Sequence, residues 1–213
     1  MMKILGSIPK THFHLACSGG SDSMTMMDFL LRYPKNKFDV LFFNHGEDYS
    51  NDIQDFVVGF CNKHGIEIHI GNITKEKDDS ESWEEYWRNE RYEFFKKFSD
   101  EKIVMSHHLN DCIETWIMTA MNGNPKLIPY FNQKYNVIRP WLLVPKREIN
   151  DWIERHKVEH MIDKSNFDTS IKRNYVRHIM MENVLKINPG IEKTIQKKIL
   201  KDYFNFSTLY NGE

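Results

Sequence analysis

Short apolar strand patterns alternate with amphipathic helix patterns along the first 121 residues, and this order constrains the fold more than any other feature. Apolar runs predict four strands, at Thr11–Cys17, Phe38–Phe43, Ile66–Ile70 and Ile103–Met105. Helical spacing between and after them predicts helices at Met24–Leu31, Asp52–Lys63, 83–98 and Asn110–Met121. No hairpin signal separates the strands, so the order predicts a parallel sheet with helices on both faces.

After Val144 the pattern becomes wholly helical. Helices are predicted at Lys146–His156, Asn174–Lys186 and Ile191–Phe204, with a polar loop at Asp163–Thr169. We therefore expect an α/β core over residues 1–138 and an α-helical extension, packed on the core, over residues 139–213. The extension has 14 Lys and Arg against 10 Asp and Glu, whereas the core has 15 against 20. A basic extension on an acidic core is compatible with a polyanionic partner.

The composition excludes several other classes of protein. With 40% apolar residues, including 14 Phe, 9 Tyr and 5 Trp, the chain is not intrinsically disordered. No apolar run approaches the ~20 residues of a membrane span, and the first residues lack a signal sequence, which predicts a cytoplasmic protein. Cys17, Cys61 and Cys112 are far apart in sequence, which excludes a disulfide framework and Cys-x-x-Cys metal modules.

The loop after the first strand, Ser18-Gly19-Gly20-Ser21-Asp22-Ser23, has the composition of an anion-binding turn. Glycine lets the backbone approach a ligand, and amides at the start of the next helix donate to phosphate. Asp22 could hold Mg²⁺ on phosphate oxygens. A serine-rich turn without a function would look similar, but the strand before it and the helix after it favour binding.

This loop resembles the Ser-Gly-Gly-x-Asp-Ser signature of the PP-loop ATP pyrophosphatases, which cleave ATP between the α- and β-phosphates. The resemblance implies a Rossmann-like adenine nucleotide α-hydrolase core that performs adenylation with ATP and Mg²⁺. It assigns Mg²⁺ to Asp22. It also assigns ATP and pyrophosphate binding to Ser18, Gly19, Gly20, Ser21, Asp22 and Ser23, together with Asn44 and His45 after the second strand.

A second constellation follows the fourth strand, where His107-His108-Leu109-Asn110-Asp111-Cys112-Ile113-Glu114-Thr115 starts a helix. Asp111 and Glu114 are three residues apart, so they share a helical face and could bind a cationic ligand or a metal. The alternative is a solvated helix face whose acids complement the helix dipole. The two histidines have no third ligand at metal spacing, which disfavours zinc at this position.

This stretch resembles the His-His-x-Asp-Asp-x-x-Glu-Thr motif of the tRNA(Ile)-lysidine synthetase family. Other segments that agree with the family are Asn44–Gly46, Arg88–Phe95, Arg139–Leu142, Asp163–Asp168, Arg173–Arg177 and Asn188–Gly190. Two features depart from the pattern. Asn110 stands where the family has an acid, which puts Mg²⁺ or amine binding in question. The sequence also stops at Glu213, before the additional C-terminal domains common in bacterial relatives, so we expect a compact form.

The resemblance implies an ATP-dependent ligase that joins lysine to C2 of the wobble cytidine of an isoleucine tRNA. The cytidine oxygen first attacks the ATP α-phosphate and releases pyrophosphate, and the lysine amine then displaces AMP from the adenylated base. The expected catalytic residues are Asp22, Arg91, Asp111 and Glu114, of which Asp111 and Glu114 also bind lysine. The residues expected to contact tRNA are Arg139, Lys172, Arg173 and Arg177.

Other interpretations stay open at this point. Arg88 and Arg91 could instead pair with acids of their own helix. The chain could be another PP-loop adenylating enzyme, such as a tRNA thiolase or a nucleotide-modifying ligase, although Cys17 within a strand disfavours thiolation. It could also be a catalytically lapsed nucleotide- or RNA-binding homologue, which Asn110 favours. The sequence leaves open whether the protein forms a homodimer.

Overall fold

The computed structural model describes residues 2–33, 35, 37–47, 49–162 and 167–210. Within these residues a six-stranded sheet has the order β3-β2-β1-β4-β6-β5. Its strands are β1 (Phe13–Cys17), β2 (Phe38–Asn44), β3 (Ile68–Asn72), β4 (Ile103–Val104), β5 (Phe131–Asn132) and β6 (Val137–Ile138). All neighbouring pairs are parallel except β5 with β6. The predicted α/β fold with a mainly parallel sheet is confirmed.

Helices connect the strands and make up most of the C-terminal part. They are α1 (Ser21–Leu31), α2 (Ser50–His64), α3 (Trp83–Lys96), α4 (Leu109–Ala120), α5 (Lys146–His156), α6 (Lys172–Tyr175), α7 (Met181–Ile187) and α8 (Ile191–Tyr210). The single helix predicted at Asn174–Lys186 is instead interrupted by a π-helical segment, Val176–Met180. Among the described helices, none has both the length and the apolar composition needed to cross a membrane.

Local sequence signals set two of the helix ends. Ser82 accepts a hydrogen bond from the backbone N–H of Glu85 at 3.2 Å, as its Ser-x-x-Glu pattern predicts for the start of α3. Gly65 ends α2 with φ +65°, a left-handed conformation in which glycine has no steric cost. The exposed ends of these helices are therefore set by short-range chemistry rather than by packing.

The patterns above predict no strand at residues 131–138, and the sheet edge there differs from the expected parallel arrangement. Strands β5 and β6 pair antiparallel across a 3₁₀ turn, Gln133–Tyr135, and Asn136 at φ +52°. Strands of two residues, such as β5 and β6, are too short to give a period-two pattern in the sequence, so the sequence does not predict them.

Hydrophobic clusters join the helical extension to the core. On one face of the sheet, Ile191, Ile195 and Ile199 of α8 belong to the same buried cluster as Ile113 and Ile117 of α4. On the other face, the fully buried Trp141 packs edge-on against Phe29 of α1, with ring centroids 5.8 Å apart. The division at residue 138 stays a prediction, but it does not separate two independent hydrophobic cores.

The parallel strands bring three connecting segments to one edge of the sheet. Ser18–Gly20 follows β1, the segment 45–47 follows β2, and the segment 105–108 follows β4. Helices α1 and α4 begin at this edge, so their positive dipole ends point toward it. We call this the strand-end edge. The opposite one, where the strands begin, is the strand-start edge.

Candidate functional site

A cavity of about 590 Å³ opens at the strand-end edge. Its walls come from the loop after β1, the start of α4, α3, the first residue of α5 and the segment from Phe167 to Leu185. The four residues that the sequence predicts to be catalytic all line this cavity, namely Asp22, Arg91, Asp111 and Glu114. The fold thus brings together side chains that are up to 92 positions apart, while their chemical roles stay predictions.

The loop after β1 is held tightly by its own small residues. The Ser23 hydroxyl accepts a hydrogen bond from the Ser18 backbone N–H at 3.1 Å and donates one to the Gly20 carbonyl at 3.0 Å. Gly19 has φ +75°, and a Cβ on it would lie 2.5 Å from Cγ2 of Ile53. Ser21, Asp22 and Ser23 form the first turn of α1 rather than a free loop, so their N–H groups face the cavity side of a helix start.

Asp22 lies at the centre of an ion-pair network. Its carboxylate is 2.5 Å from the Lys146 ammonium and 3.6 Å from Nε2 of His108. The Lys146 ammonium also donates to the Ser21 hydroxyl at 2.9 Å. Burial works against ionisation of Asp22, but His108 and Lys146 outweigh burial and hold its pKa well below the usual range. Asp22 is therefore an anion at neutral pH.

Lys146 is the site residue that sequence reasoning missed. It is the first residue of α5 and lies 124 positions from Asp22. A lysine in the first turn of a helix opposes the helix dipole, and this placement is the one sequence signal that could have singled it out. The backbone N–H of Lys146 donates to the side-chain oxygen of Asn110 at 2.9 Å. The amide at position 110 thus fixes the start of α5, a task that needs an acceptor and not a charge.

Asp111 links the start of α4 to the cavity. Its carboxylate accepts a hydrogen bond from the backbone N–H of His108 at 2.9 Å and faces the His108 ring at 3.6 Å. Burial raises the pKa of Asp111, but His108 and His107 outweigh this, so the net pKa is lowered. Conversely, burial alone would lower the pKa of His108, and the attraction of Asp111 and Asp22 raises it overall.

Glu114 is 2% exposed and makes two hydrogen bonds with the Arg177 guanidinium, both 2.9 Å long. Arg177 also lies 3.5 Å from Asp111. The guanidinium of Arg177, which the sequence analysis expects to contact tRNA, is thus paired inside the cavity, and its contact with tRNA stays a prediction. The carboxylate pair predicted to bind a cationic substrate already holds a cation from the protein itself. Two parallel charge-assisted bonds are the geometry in which arginine binds carboxylates best.

Arg91 contributes positive charge from the opposite wall. Its Nε is buried and has no hydrogen-bond partner among the described residues, and burial lowers its pKa. The neighbouring Arg88 stacks over Tyr92. Neither Arg88 nor Arg91 pairs with an acidic residue of the described helix α3, which was the alternative interpretation. Burial lowers the pKa of His107 to about 3, which leaves that ring neutral. A buried guanidinium whose Nε lacks a partner among the described residues is a donor that an anionic ligand in the cavity would satisfy.

Other predicted site residues lie away from the cavity wall. Asn44 donates to Asn51 and Gln54 and accepts from the Gly46 N–H, so it shapes the turn after β2, whereas His45 does line the cavity. Gly19 also lies outside the cavity wall, and its positive φ allows the turn of the loop after β1. Arg139, also expected to contact tRNA, is 3% exposed and donates to the Pro129 carbonyl and the Tyr92 hydroxyl. Little of its side chain is accessible, and its contact with tRNA stays a prediction.

The basic segment before the π-helical turn divides between surface and interior. Lys172 is exposed at the start of α6, while Arg173 is half-buried and donates to the Thr115 hydroxyl at 3.2 Å. The motif residues Asp163, Lys164, Ser165 and Asn166 lie outside the described residues. Of the predicted tRNA contacts, Lys172 thus has the accessible side chain that such a contact requires.

The cysteines lie in the interior. Cys17, Cys61 and Cys112 are free thiols and are buried. Burial raises the pKa of Cys61 and of Cys112 to about 12 and also raises that of Cys17. Such thiols are poor nucleophiles and poor metal ligands, because both roles need the thiolate.

Comparison with known proteins bears on the same region. A sequence model of the PP-loop domain matches residues 1–184. Among curated proteins, the tRNA(Ile)-lysidine synthase of Persephonella marina is 32% identical over 194 residues, which cover 85% of this chain and 43% of that protein. The tRNA(Ile)-lysidine synthase of Thermotoga maritima is 27% identical over 201 residues, covering 88% and 49%. The chain thus spans less than half the length of either relative.

A solved structure with a similar fold is that of a U34-tRNA thiolase from Methanococcus maripaludis, with a TM-score of 0.73 and 19% identity over 92% of this chain and 73% of that one. The NH3-dependent NAD synthetase from Campylobacter jejuni gives a TM-score of 0.50 and 14% identity, over 93% of this chain and 87% of that one. At these identities the likeness concerns the fold alone.

Proposed function

We propose a function from the premise that this chain belongs to the PP-loop domain family, membership of which implies the use of ATP. The protein is proposed to ligate lysine to C2 of the wobble cytidine of an isoleucine tRNA, in the manner of the tRNA(Ile)-lysidine synthases it is similar to. The observation that carries this proposal is that three kinds of group line the same cavity. These are a phosphate-type loop at Asp22, the buried Arg91, whose Nε has no partner in the part of the chain that the structure describes, and a carboxylate pair at Asp111 and Glu114.

The first step needs the β,γ end of ATP held against the loop after β1. The N–H groups at the start of α1 and the hydroxyls of Ser18 and Ser21 would donate to the pyrophosphate. Asp22 fits a Mg²⁺ ion, because it is an ionised oxygen ligand on the cavity wall. When bound, Mg²⁺ neutralises charge on the leaving pyrophosphate. Lys146, which pairs with Asp22, would then turn its ammonium toward a phosphate oxygen.

Arg91 is proposed to stabilise the α-phosphate. The cytidine O2 forms a bond to the α-phosphorus while the bond to the bridging oxygen of pyrophosphate breaks, and negative charge accumulates on the α-phosphate oxygens. The buried guanidinium, whose Nε has no hydrogen-bond partner among the described residues, would compensate that charge. His107 is neutral beside it and adds no competing positive charge.

The second step needs lysine beside the adenylated base. Asp111 and Glu114 are proposed to orient the lysine, and its cationic end would compete with the Arg177 guanidinium for the pair. The ε-amine loses a proton, to one carboxylate of the pair or to a relayed water, and attacks C2. The bond between C2 and the oxygen then breaks, and AMP leaves with that oxygen.

Contact with tRNA is proposed for Lys172 and Arg173, at the rim of the cavity. Lys172 is exposed, and the first turn of α6 presents it next to the cavity-lining segment that contains Phe167 and Arg177. A lysine at this position would bind a backbone phosphate and position the anticodon loop without reading its sequence. Cytoplasmic location and homodimer formation stay predictions.

One assay tests the proposal, with ATP, Mg²⁺, labelled lysine and an isoleucine tRNA bearing a wobble cytidine. Incorporation of lysine with release of AMP and pyrophosphate supports it, and a tRNA with a wobble uridine serves as the negative control. Release of pyrophosphate that lysine does not stimulate would instead indicate a different acceptor. Nucleotide binding without turnover would indicate a lapsed homologue. The buried thiols at Cys17, Cys61 and Cys112 argue against sulfur transfer by this chain.

A further inference from the structure

Five histidine and carboxylate side chains gather at the strand-start edge, on the far side of the sheet from the cavity. They are His12 just before β1, His14 on β1, Asp39 on β2, His69 on β3 and Glu101 before β4. We call them the strand-start cluster. The proposed function uses none of them, and the sheet register explains their meeting, since His14 pairs with Asp39 across β1 and β2.

Two carboxylates connect the three rings of the cluster. Glu101 Oε2 lies 2.5 Å from Nδ1 of His12 and 3.3 Å from Nε2 of His14. Asp39 approaches His12 Nε2 at 3.2 Å through one oxygen and His69 Nε2 at 3.4 Å through the other. Each carboxylate thus faces two imidazoles, an arrangement that concentrates nitrogen and oxygen donors in one small volume.

His14 is the buried member of the strand-start cluster. It is 7% exposed, and its Nδ1 has no hydrogen-bond partner among the described residues. Phe98 covers it, with ring centroids 5.1 Å apart, and also packs on His69 at 4.9 Å. An unsatisfied nitrogen on a buried imidazole is a cost to the fold unless another group binds it.

We propose that the strand-start cluster is a binding site for a divalent transition metal ion, with zinc as the best-matched one. Two overlapping groups, His12–His14–Glu101 and His14–Asp39–His69, each have their ligand atoms within 4.8 Å of one another. Ligands of tetrahedral zinc lie about 3.3 Å apart, so small side-chain movements suffice. Imidazoles bind a metal in their neutral form, so the two carboxylates would supply the negative charge that a divalent ion neutralises.

The donor set and the architecture both favour this metal class. Imidazole nitrogens select zinc-type ions over Mg²⁺ and Ca²⁺, which prefer oxygen ligands alone. Helices α2 and α3 end shortly before β3 and β4, so their negative dipole ends point toward this edge and favour a cation. An ion held by either group would connect at least two segments of the sheet and so stabilise the folded chain, because the unfolded chain lacks the preformed site. The inference is independent of the proposed function.

The test uses the full chain, stripped of metal by a chelator and desalted. Calorimetric titration with Zn²⁺ is expected to give one bound ion. The melting temperature should rise by about 5–10 °C when zinc is ~100-fold above its dissociation constant. Co²⁺ in place of zinc should give the visible absorption of a tetrahedral site. Absence of a bound ion, or of any rise in melting temperature, would overturn the proposal.

Variants separate this site from other histidines. His12→Asn and His69→Asn remove partly exposed ligands, which lets the chain fold, and each should weaken zinc binding at least about tenfold. His64→Asn, at an exposed histidine of α2, is the matched control and should bind zinc as the unchanged chain does. Equal affinity in all three variants, or a cobalt spectrum that persists when His12 and His69 are both replaced, places the ion elsewhere and refutes the assignment.

Discussion

The two edges of the same sheet both carry carboxylates but pair them with different partners. At the strand-end edge, Asp22 and Glu114 are bound by the long side chains of Lys146 and Arg177. At the strand-start edge, Asp39 and Glu101 are bound by imidazoles that short side chains hold close to the backbone. Long cations can turn away when a ligand arrives, whereas the imidazoles are held in place by strand register. The first edge is suited to exchange of substrates and the second to a fixed ion.

The difference follows from the direction of the helices. In a parallel α/β fold the helix N-termini meet at the carboxyl ends of the strands, which favours anions, and the helix C-termini meet at the opposite edge, which favours cations. The proposed nucleotide site and the proposed metal site lie at opposite ends of β1, at the edges that favour an anion and a cation respectively.

Four experiments with variants test the difference in charge pairing between the two edges.

Replacement of Asp22 should give the largest effect. In Asp22→Asn, pyrophosphate release from ATP should fall by roughly 10²–10³-fold, because the carboxylate proposed to hold Mg²⁺ on the leaving pyrophosphate is lost. The measurement is the rate of pyrophosphate release with saturating tRNA and lysine. Asp52→Asn, in the exposed first turn of α2, is the control and should keep its rate. A similar fall in both variants would remove the special role of Asp22.

Substitution of two neighbouring glycines tests how tightly the backbone of the loop after β1 is constrained. Gly19→Ala should destabilise the fold by about 2–4 kcal/mol, since φ +75° disfavours a side chain and its Cβ would meet Ile53. Gly20→Ala should have a small effect, because the nearest atom to its Cβ is 3.6 Å away and its φ is −77°. Urea unfolding measures both, and equal destabilisation would contradict this account of the loop.

The exchangeable pairing of Glu114 with Arg177 is tested by a double-mutant cycle. Arg177→Met should cost about 2–3 kcal/mol of unfolding free energy, because it leaves the buried Glu114 carboxylate without its cation. Glu114→Gln combined with Arg177→Met should recover part of that loss. Thermal or urea unfolding of the four proteins gives the coupling energy. Strictly additive effects would show that the pair contributes nothing as a pair.

The smallest effect concerns pH, since each edge has one histidine whose pKa is raised. For His108, burial opposes ionisation but Asp111 and Asp22 outweigh it, and for His12 the hydrogen bond with Glu101 is the main cause. A folded-state pKa above 6.5 gives stabilisation that is complete below pH 6.5 and lost as pH rises through the folded-state value. The stabilisation from His108 and His12 should therefore be lost as pH rises above 6.5. His107 and His14, whose pKa values are lowered, contribute in the opposite direction.

His108→Gln should flatten that pH dependence by about 2–4 °C, and His12→Asn should flatten it less because His12 is partly exposed. Melting curves at several pH values in chelated buffer provide the measurement. A steeper loss in either variant would mean that the pKa is shifted in the opposite direction.

Local sequence patterns determined a large part of this molecule. Strand and helix order, the glycine-containing loop after β1 and the caps at Ser82 and Gly65 follow from short-range periodicity and backbone preference, and the structure has them. The meeting of Asp22, Asp111 and Glu114 was also predictable, because parallel strands bring their carboxyl ends to one edge.

Only the tertiary structure decided which cation meets which anion. Lys146 pairs with Asp22, which is 124 positions away in the sequence. Arg177, expected to contact tRNA, pairs with Glu114, and Arg139 donates to the buried Tyr92 hydroxyl. Three histidines, from before β1 and from β1 and β3, likewise converge only once strand register is set. Sequence periodicity indicates which face of a helix or strand is apolar. A long charged side chain, however, can pair with any group that packing brings near it, and packing depends on the whole chain.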